Sequence, residues 1–86
     1  MNLLANLISN LENDLSERNI YESIILRSSN ITSFDFQINN LVKLQKSNEV
    51  KSIKKSFTKI LDNDPSIKNY EFTKNYFINL EINIEM

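Results

Sequence analysis

The end of the chain alternates apolar and polar residues, and this alternation constrains the fold more than any other feature of the sequence. The apolar positions are Tyr76, Ile78, Leu80, Ile82 and Ile84. Because successive side chains of a strand point to opposite faces, this period of two predicts a strand with one face on the core and one in water. Tyr70 and Phe72 predict a preceding strand, and Lys74-Asn75 is the candidate turn between them. Phe77 is the exception, an aromatic residue on the wet face.

An apolar sheet face needs a covering layer, and two stretches predict amphipathic helices that can supply it. In residues 2–16, with Asn2 as the candidate N-cap, leucine and isoleucine recur at helical spacing on one side. We expect this side to be buried against the sheet. The alternatives are a partner's groove and a membrane surface, although the polar side has no lysine or arginine to favour a membrane. A helix after Ser47-Asn48 ends before Pro65, and its apolar side consists of Val50, Ile53, Phe57, Ile60 and Leu61.

The middle of the chain predicts a strand and a further helix. Residues 24–26 are a short β-branched run typical of a strand, and Asn19 before it can form a left-handed helix cap. In residues 37–46, apolar side chains recur with the period of a helix. The whole chain, residues 1–86, therefore predicts one α+β domain with a single small antiparallel or mixed sheet and about three helices on one face. The predicted element order is α-β-(β)-α-α-β-β.

Three missing residue types exclude most kinds of chemistry. The chain has no histidine, no cysteine and no glycine. The commonest general base, metal ligand and thiol nucleophile are therefore absent, and no glycine-rich phosphate loop can form. Any backbone position with positive φ must be filled by Asn or Asp. We expect no enzyme activity, no cofactor and no metal. No apolar run approaches the roughly 18–20 residues of a membrane span, so we expect a cytoplasmic protein without membrane contact.

Positive charge is concentrated in the middle of the chain, although the formal net charge is −1. Residues 43–74 contain eight lysines and four carboxylates. The candidates for phosphate contacts are Lys43, Lys46, Lys51 and Lys55, through an attraction that salt weakens. An ordinary solvated helix face is the simpler interpretation of these lysines, and the sequence alone favours it.

Residues 33–40 combine aromatic, acidic and amide side chains in a short stretch. The candidate RNA-binding residues are Phe34, Asp35, Phe36, Gln37, Asn39 and Asn40. Phenylalanine can stack on an unpaired base, and amides can bond its edge. The chemistry alone favours a structural interpretation, in which Phe34 and Phe36 anchor the core while Asp35 and the amides cap a helix beginning near Gln37.

The same stretch resembles the FGDYQxNG motif in the N-terminal additional domain of arginyl-tRNA synthetases. Two further blocks resemble that family in the same order and at matching distances. Residues 44–57 are similar to its KKLGKNPREIAEEI segment, and residues 70–79 to its VEIAGPGFINxxL signature. Residues 77–79 (FIN) match outright, whereas residues 74–76 (KNY) stand where the family has Gly-Pro-Gly.

The resemblance implies a non-catalytic module of translation that binds arginine-specific tRNA at the D-loop of the elbow. By position, Asp35, Phe36, Gln37 and Asn39 match D, Y, Q and N of the motif. The resemblance implies that Phe36 stacks on a D-loop base and that Gln37 and Asn39 bond its edge. It also implies that Asp35 holds the loop.

The chain also departs from the family. It has no HIGH and no KMSKS motif, so it cannot charge tRNA by itself, and Ser33, Phe34 and Asn40 replace an aromatic residue and two glycines. Three interpretations remain open. The chain is a stand-alone homologue or fragment of the tRNA-binding domain, a protein-interaction module (inhibitor or antitoxin-like) that keeps the fold, or an unrelated α+β domain. The second predicts an exposed apolar patch near Phe77 or the first helix.

Overall fold

The structure, a computed structural model, describes residues 4–29, 31 and 33–83. Its elements in chain order are α1 (Ala5–Ser16), β1 (Arg27–Ser28), β2 (Phe36–Ile38), a 3-10 helix (Val42–Leu44), α2 (Val50–Asn63), β3 (Ile67–Phe72) and β4 (Ile78–Ile82). The predicted α+β class is confirmed. Within the described ranges, two α-helices and one 3-10 turn replace the three helices expected. The predicted cap at Asn2 and the strand position Ile84 lie outside the described residues.

The four strands form one antiparallel sheet in the order β1-β2-β4-β3. In β4, Ile78 lies opposite Ile38 of β2 and Phe72 of β3. Leu80 is flanked in the same way by both neighbouring strands. Because directly opposed residues share a face, these apolar side chains define one side of the sheet, here named the helix face.

The core lies between the helix face and the two α-helices. Its fully buried side chains include Leu7, Leu11 and Leu15 of α1, Ile53 and Phe57 of α2, and Ile38, Ile78 and Leu80 of the sheet. Full burial of such a side chain stabilises the fold by about 1.5–3 kcal/mol. The apolar side of α1 is therefore used within the domain, as the sequence predicts.

The chain turns sharply after each helix without using glycine. After α1, Asn19 has φ 61°, and the N–H of Ile20 donates to the carbonyl of Leu15 at 2.9 Å. This arrangement confirms the predicted left-handed cap. After α2, Asp64 is extended with ψ 116°, as expected for the residue before Pro65.

Two predicted elements are wrong, and pairing over long distances in the chain is the reason. Residues 24–26 are not a strand, because the N–H of Ile24 donates to the carboxylate of Glu12 at 2.8 Å and the strand begins later, at Arg27. Residues 37–46 are not a helix, because β2 pairs with β1 on one side and β4 on the other. The helical period survives there only as the 3-10 turn.

The loop between β3 and β4 lies where the sequence predicts a turn. The N–H of Tyr76 donates to the carbonyl of Thr73 at 3.0 Å, which closes a turn around Lys74-Asn75. Tyr76 itself has φ 67°. A three-residue hairpin loop commonly ends in such a left-handed residue, usually glycine. The expectation that Asn or Asp fills these positions is confirmed at Asn19 and wrong at Tyr76.

Candidate nucleic-acid interface

The side of the sheet turned away from the helices, here named the outer face, carries a row of polar side chains. Arg27 lies opposite Gln37, and Gln37 lies opposite Asn79. Asn79 in turn lies opposite Glu71. Each strand therefore contributes one polar residue to a line across the sheet. The line runs from a cation on β1, through two amides, to a carboxylate on β3.

Gln37 and Asn79 form the centre of this row. The Nε2 of Gln37 donates a hydrogen bond to the Oδ1 of Asn79 at 3.1 Å. Asn79 is fully buried, and its Nδ2 has no hydrogen-bond partner among the described residues. A buried donor without an acceptor destabilises a fold by about 1–3 kcal/mol.

Asn39 is the next residue of β2's alternation on the outer face. Its Oδ1 is also buried, with no donor in the described part of the chain. Asn40 has a different role, because its Nδ2 donates to the carbonyl of Ser23 at 2.9 Å and ties the end of β2 to the segment before β1. Gln37, Asn39 and Asn79 are named the amide cluster below. The cluster contains one buried acceptor and one buried donor without partners among the described residues.

A groove of about 330 Å³ opens beside the amide cluster, at the lower end of the range for small-molecule sites. Its lining residues are Glu22, Ser23, Ile25, Arg27, Asn39, Asn40, Val42 and Lys43. Lys43 is paired with Glu22 across the groove. Arg27 is exposed and forms no ion pair with any described residue. Arg27 is therefore available to an anionic ligand, directly beside Gln37.

The aromatic ring predicted to stack on a base is not on this face. Phe36 lies opposite Leu80 on the helix face and packs against the core, which confirms its interpretation as a core anchor. Phe77 is another aromatic residue that neighbours the amide cluster along the chain. It faces Thr73 across the hairpin, with Thr73 N–H donating to its carbonyl at 2.9 Å, and it precedes Asn79 by two positions, on the same side of the sheet. Its ring is half-buried and is not among those packed against the core.

Asp35 and Phe34 have roles in the loop before β2. The Oδ2 of Asp35 accepts a hydrogen bond from the N–H of Ile82 at 2.8 Å, so this carboxylate fastens the loop to β4 as expected. The N–H of Phe34 donates to the carbonyl of Ile31 at 3.0 Å, and its ring is half-buried outside the core cluster. Neither side chain belongs to the amide cluster.

The predicted phosphate contacts fall on two sides of the molecule. Lys43 lines the groove but is already in an ion pair, and Lys46 is exposed just beyond the 3-10 helix. Lys51 and Lys55 are exposed on α2, which covers the helix face. They therefore lie on the opposite side of the sheet from Gln37, and one short RNA segment on the outer face cannot contact both.

Three residues of the outer face were not among the predicted site residues. Asn79 and Phe77 were visible in the sequence as members of the FIN block on the wet side of an alternating strand. That signal could have placed them in the site once β4 was known to pair with β2. Arg27 carried no local signal, because only the register of β1 brings it opposite Gln37.

Comparison of the chain with protein-family models, with curated proteins and with solved structures found no match. Within residues 4–29, 31 and 33–83, no helix is both long enough and apolar enough to cross a membrane. The same residues contain no group of three or more acidic side chains placed to hold a metal ion.

Proposed function

We propose that this chain is a non-catalytic RNA-binding module that holds an unpaired segment of tRNA on the outer face of its sheet. Gln37, whose amide is held in place by Asn79, bonds the edge of an unpaired base, and Phe77 offers a ring for stacking. Arg27 neutralises a neighbouring phosphate. The observation that carries the proposal is the hydrogen bond at 3.1 Å by which Asn79 holds the partly exposed amide of Gln37 beside the exposed Arg27.

Amide side chains suit this role because one group presents a donor and an acceptor close together. The edges of nucleobases carry the same combination, and unpaired bases expose it fully. Charge on the outer face favours one orientation of the bound RNA strand. Arg27 lies at the β1 edge and Glu71 at the β3 edge, so a phosphate backbone is attracted to the β1 side and repelled from the β3 side.

Two structural details agree with the resemblance to the synthetase domain. Gln37 and Asn79 belong to different blocks of that resemblance, and they meet in a hydrogen bond. Tyr76 has positive φ at the position where the family has the second glycine of Gly-Pro-Gly, a conformation that glycine adopts readily. These details support tRNA, and its D-loop in particular, as the RNA to test first.

Titration of labelled tRNA into the protein at low salt tests the proposal. We expect tighter binding of tRNA than of duplex RNA, because a duplex offers no splayed base. Replacing Phe77 by Leu keeps an apolar side chain but removes the aromatic ring, and should weaken binding by about 1–3 kcal/mol. Equal affinity for tRNA and duplex RNA would refute the proposal.

Phe36→Leu is the matched control for Phe77→Leu. Phe36 packs against the core, so its replacement should lower stability and leave the affinity of the folded protein for tRNA unchanged. The opposite result, in which Phe36→Leu loses tRNA binding and Phe77→Leu keeps it, would indicate that Phe36 stacks on the base, as the motif implies.

A protein-interaction module is the second candidate, and exposed apolar side chains favour it. Among the described residues, the large apolar side chains most exposed to solvent are Tyr21, Ile25 and Ile31, with Tyr21 78% exposed. They lie between α1 and β2, rather than at Phe77 or α1 where the sequence suggested a patch. A complex that forms without RNA and is lost in the double variant Tyr21→Ser/Ile25→Ser would support this function. Such a complex surviving that change would argue against this surface.

A further inference from the structure

The solvent side of α2 carries a second concentration of positive charge, here named the lysine face. Its four lysines are Lys51, Lys54, Lys55 and Lys59, all exposed. Three of them follow one another at intervals of four residues, which places them about 6 Å apart along the helix axis. A shallow depression of about 650 Å³ runs along them, with Ser52, Ser56 and Thr58 also in its lining.

Among the residues that the structure describes, no carboxylate is paired with this face. None of the ion pairs between described residues includes any of the four lysines. At the C-terminal end of α2, Asp62 accepts a hydrogen bond from the hydroxyl of Tyr70. At the N-terminal end, Glu49 lies 3.8 Å from the guanidinium of Arg18. The lysines are therefore free for an anionic partner, apart from Lys54, whose Nζ lies 5.4 Å from the centre of the Phe72 ring.

Hydroxyl groups beside the lysines add hydrogen-bond donors. Arg18, in the turn just after α1, donates from Nη1 to the Oγ of Ser52 at 2.9 Å and from Nη2 to the Oγ of Ser56 at 2.8 Å. Each serine oxygen is thus an acceptor for the guanidinium, and neither hydroxyl donates to a described group. A hydroxyl has one proton to give, so both serines can still donate to a phosphate oxygen.

The lysine face and the amide cluster lie on opposite sides of the sheet. The shortest dimension of the Cα trace is 19 Å, and both the sheet and the helix layer lie between the two surfaces. A ligand segment held by Gln37 therefore cannot also contact Lys55. A second segment is needed to use both surfaces.

We infer that the lysine face binds the phosphate backbone of a second RNA segment, so that the domain holds two segments at once. The occupant is RNA because unpaired cations spread along a helix, with hydroxyl donors between them, complement a regularly charged backbone. The two-segment arrangement rests on the proposed function of the outer face, whereas phosphate binding by α2 does not. The depression runs the length of the lysine stripe, so the contact is made with the backbone and not with a single base.

Titration calorimetry with a short single-stranded RNA at low salt, together with the salt dependence of its affinity, tests the inference. We expect two RNAs per wild-type protein and one per Lys51→Gln/Lys55→Gln variant. Loss of two phosphate contacts should also reduce the slope of log affinity against log salt by about 1.4. The control, Lys68→Gln/Lys74→Gln, removes the same charge from the β3 side and should still bind two.

The outcomes separate the two proposals. One RNA bound by wild type and none by Lys51→Gln/Lys55→Gln would support phosphate binding by α2 and refute the site on the outer face. One RNA bound by both proteins, with the same salt slope, would overturn the inference about α2 and leave the outer face as the site. Equal loss in the control variant would show a general effect of net charge and would also overturn the inference.

Discussion

The side-chain amides of Gln37 and Asn79, 42 positions apart in the chain, meet at 3.1 Å on the outer face of the sheet. The bond joins β2 to β4. It uses the Nε2 of Gln37 and the Oδ1 of Asn79, and leaves the Nδ2 of Asn79 without a partner among the described residues. Asn79 is buried with an unpartnered Nδ2, so the pair is a less stable solution than an apolar pair of the same shape. This is the pattern expected where hydrogen-bonding groups are kept for a ligand.

Replacing both amides by apolar residues of similar size should separate stability from binding. We expect the double variant Gln37→Met/Asn79→Leu to have an unfolding free energy equal to or above that of the wild type, because the unpaired Nδ2 of Asn79 is removed together with the hydrogen bond to Gln37. The same protein should lose its preference for tRNA over duplex RNA. Chemical denaturation and an RNA titration on the same preparation measure the two effects.

The single variant Gln37→Met is the matched control for this pair. It leaves Asn79 buried with neither polar atom bonded to Gln37, and should therefore be less stable than wild type by about 1–3 kcal/mol. A double variant that is as unstable as this single variant would contradict the account of the amide cluster.

At Tyr76, replacement by glycine should give a more stable protein than replacement by alanine, the reverse of the usual order. Its φ of 67° strains every residue with a Cβ, whereas glycine adopts this conformation freely. Both truncations lose the same packing of the ring against the core, so Tyr76→Gly should be more stable than Tyr76→Ala by about 1 kcal/mol. At Asn75, which has no positive φ, alanine should be at least as stable as glycine. Thermal unfolding of the four variants gives the comparison.

Arg18 should matter to stability through its geometry and not only its charge. From the turn just after α1, its guanidinium donates to two serine hydroxyls of α2, and its side chain is only 18% exposed. Lysine cannot reproduce this fork, so Arg18→Lys should destabilise the protein by about 1–2 kcal/mol. Arg27→Lys, at an exposed position without an ion pair among the described residues, should leave the unfolding free energy unchanged. Equal stability of the two variants would contradict the role of Arg18 in joining the end of α1 to α2.

Tyr70 should make the fold sensitive to alkaline pH. The hydrogen bond that its hydroxyl donates to Asp62, and then its burial and the charge of Asp62, raise the pKa of Tyr70 above its ordinary value. The stability that this contact contributes is complete below the ordinary tyrosine pKa of about 10 and is lost as pH rises through the raised value. Wild type should therefore lose more stability than Tyr70→Phe across that interval. Tyrosinate absorbance and denaturation at several pH values test this; parallel curves would contradict it.

The sequence predicted the elements that local patterns determine. The alternation through Ile78, Leu80 and Ile82 identified β4 and its inward face, and the lysine-rich helix was found with its end at Asp64. Asn19 was identified as the left-handed cap because the chain has no glycine to fill that position. Each of these signals lies within a few residues of the feature that it predicts.

Features that depend on distant pairing could not be predicted in this way. Ile38 suits both the period of a helix and the inward face of a strand, and only its place opposite Ile78 decides for the strand. The same pairing turns Phe36 to the core and brings Arg27 to Gln37 through the next strand. The candidate site was therefore recognised in its amides but not in its aromatic ring or its cation.

The order of strands in the sheet has a consequence for synthesis on the ribosome. β4 is the last strand along the chain, yet it separates β2 from β3. As the nascent chain emerges, β1, β2 and β3 leave the exit tunnel before β4, the strand that joins β2 to β3. Ile38 of β2 is translated 40 residues before Ile78, the residue opposite it in β4. The sheet can close only after translation of β4, so this domain should fold in one late step rather than element by element, and a ribosome stalled before β4 would carry an incomplete sheet.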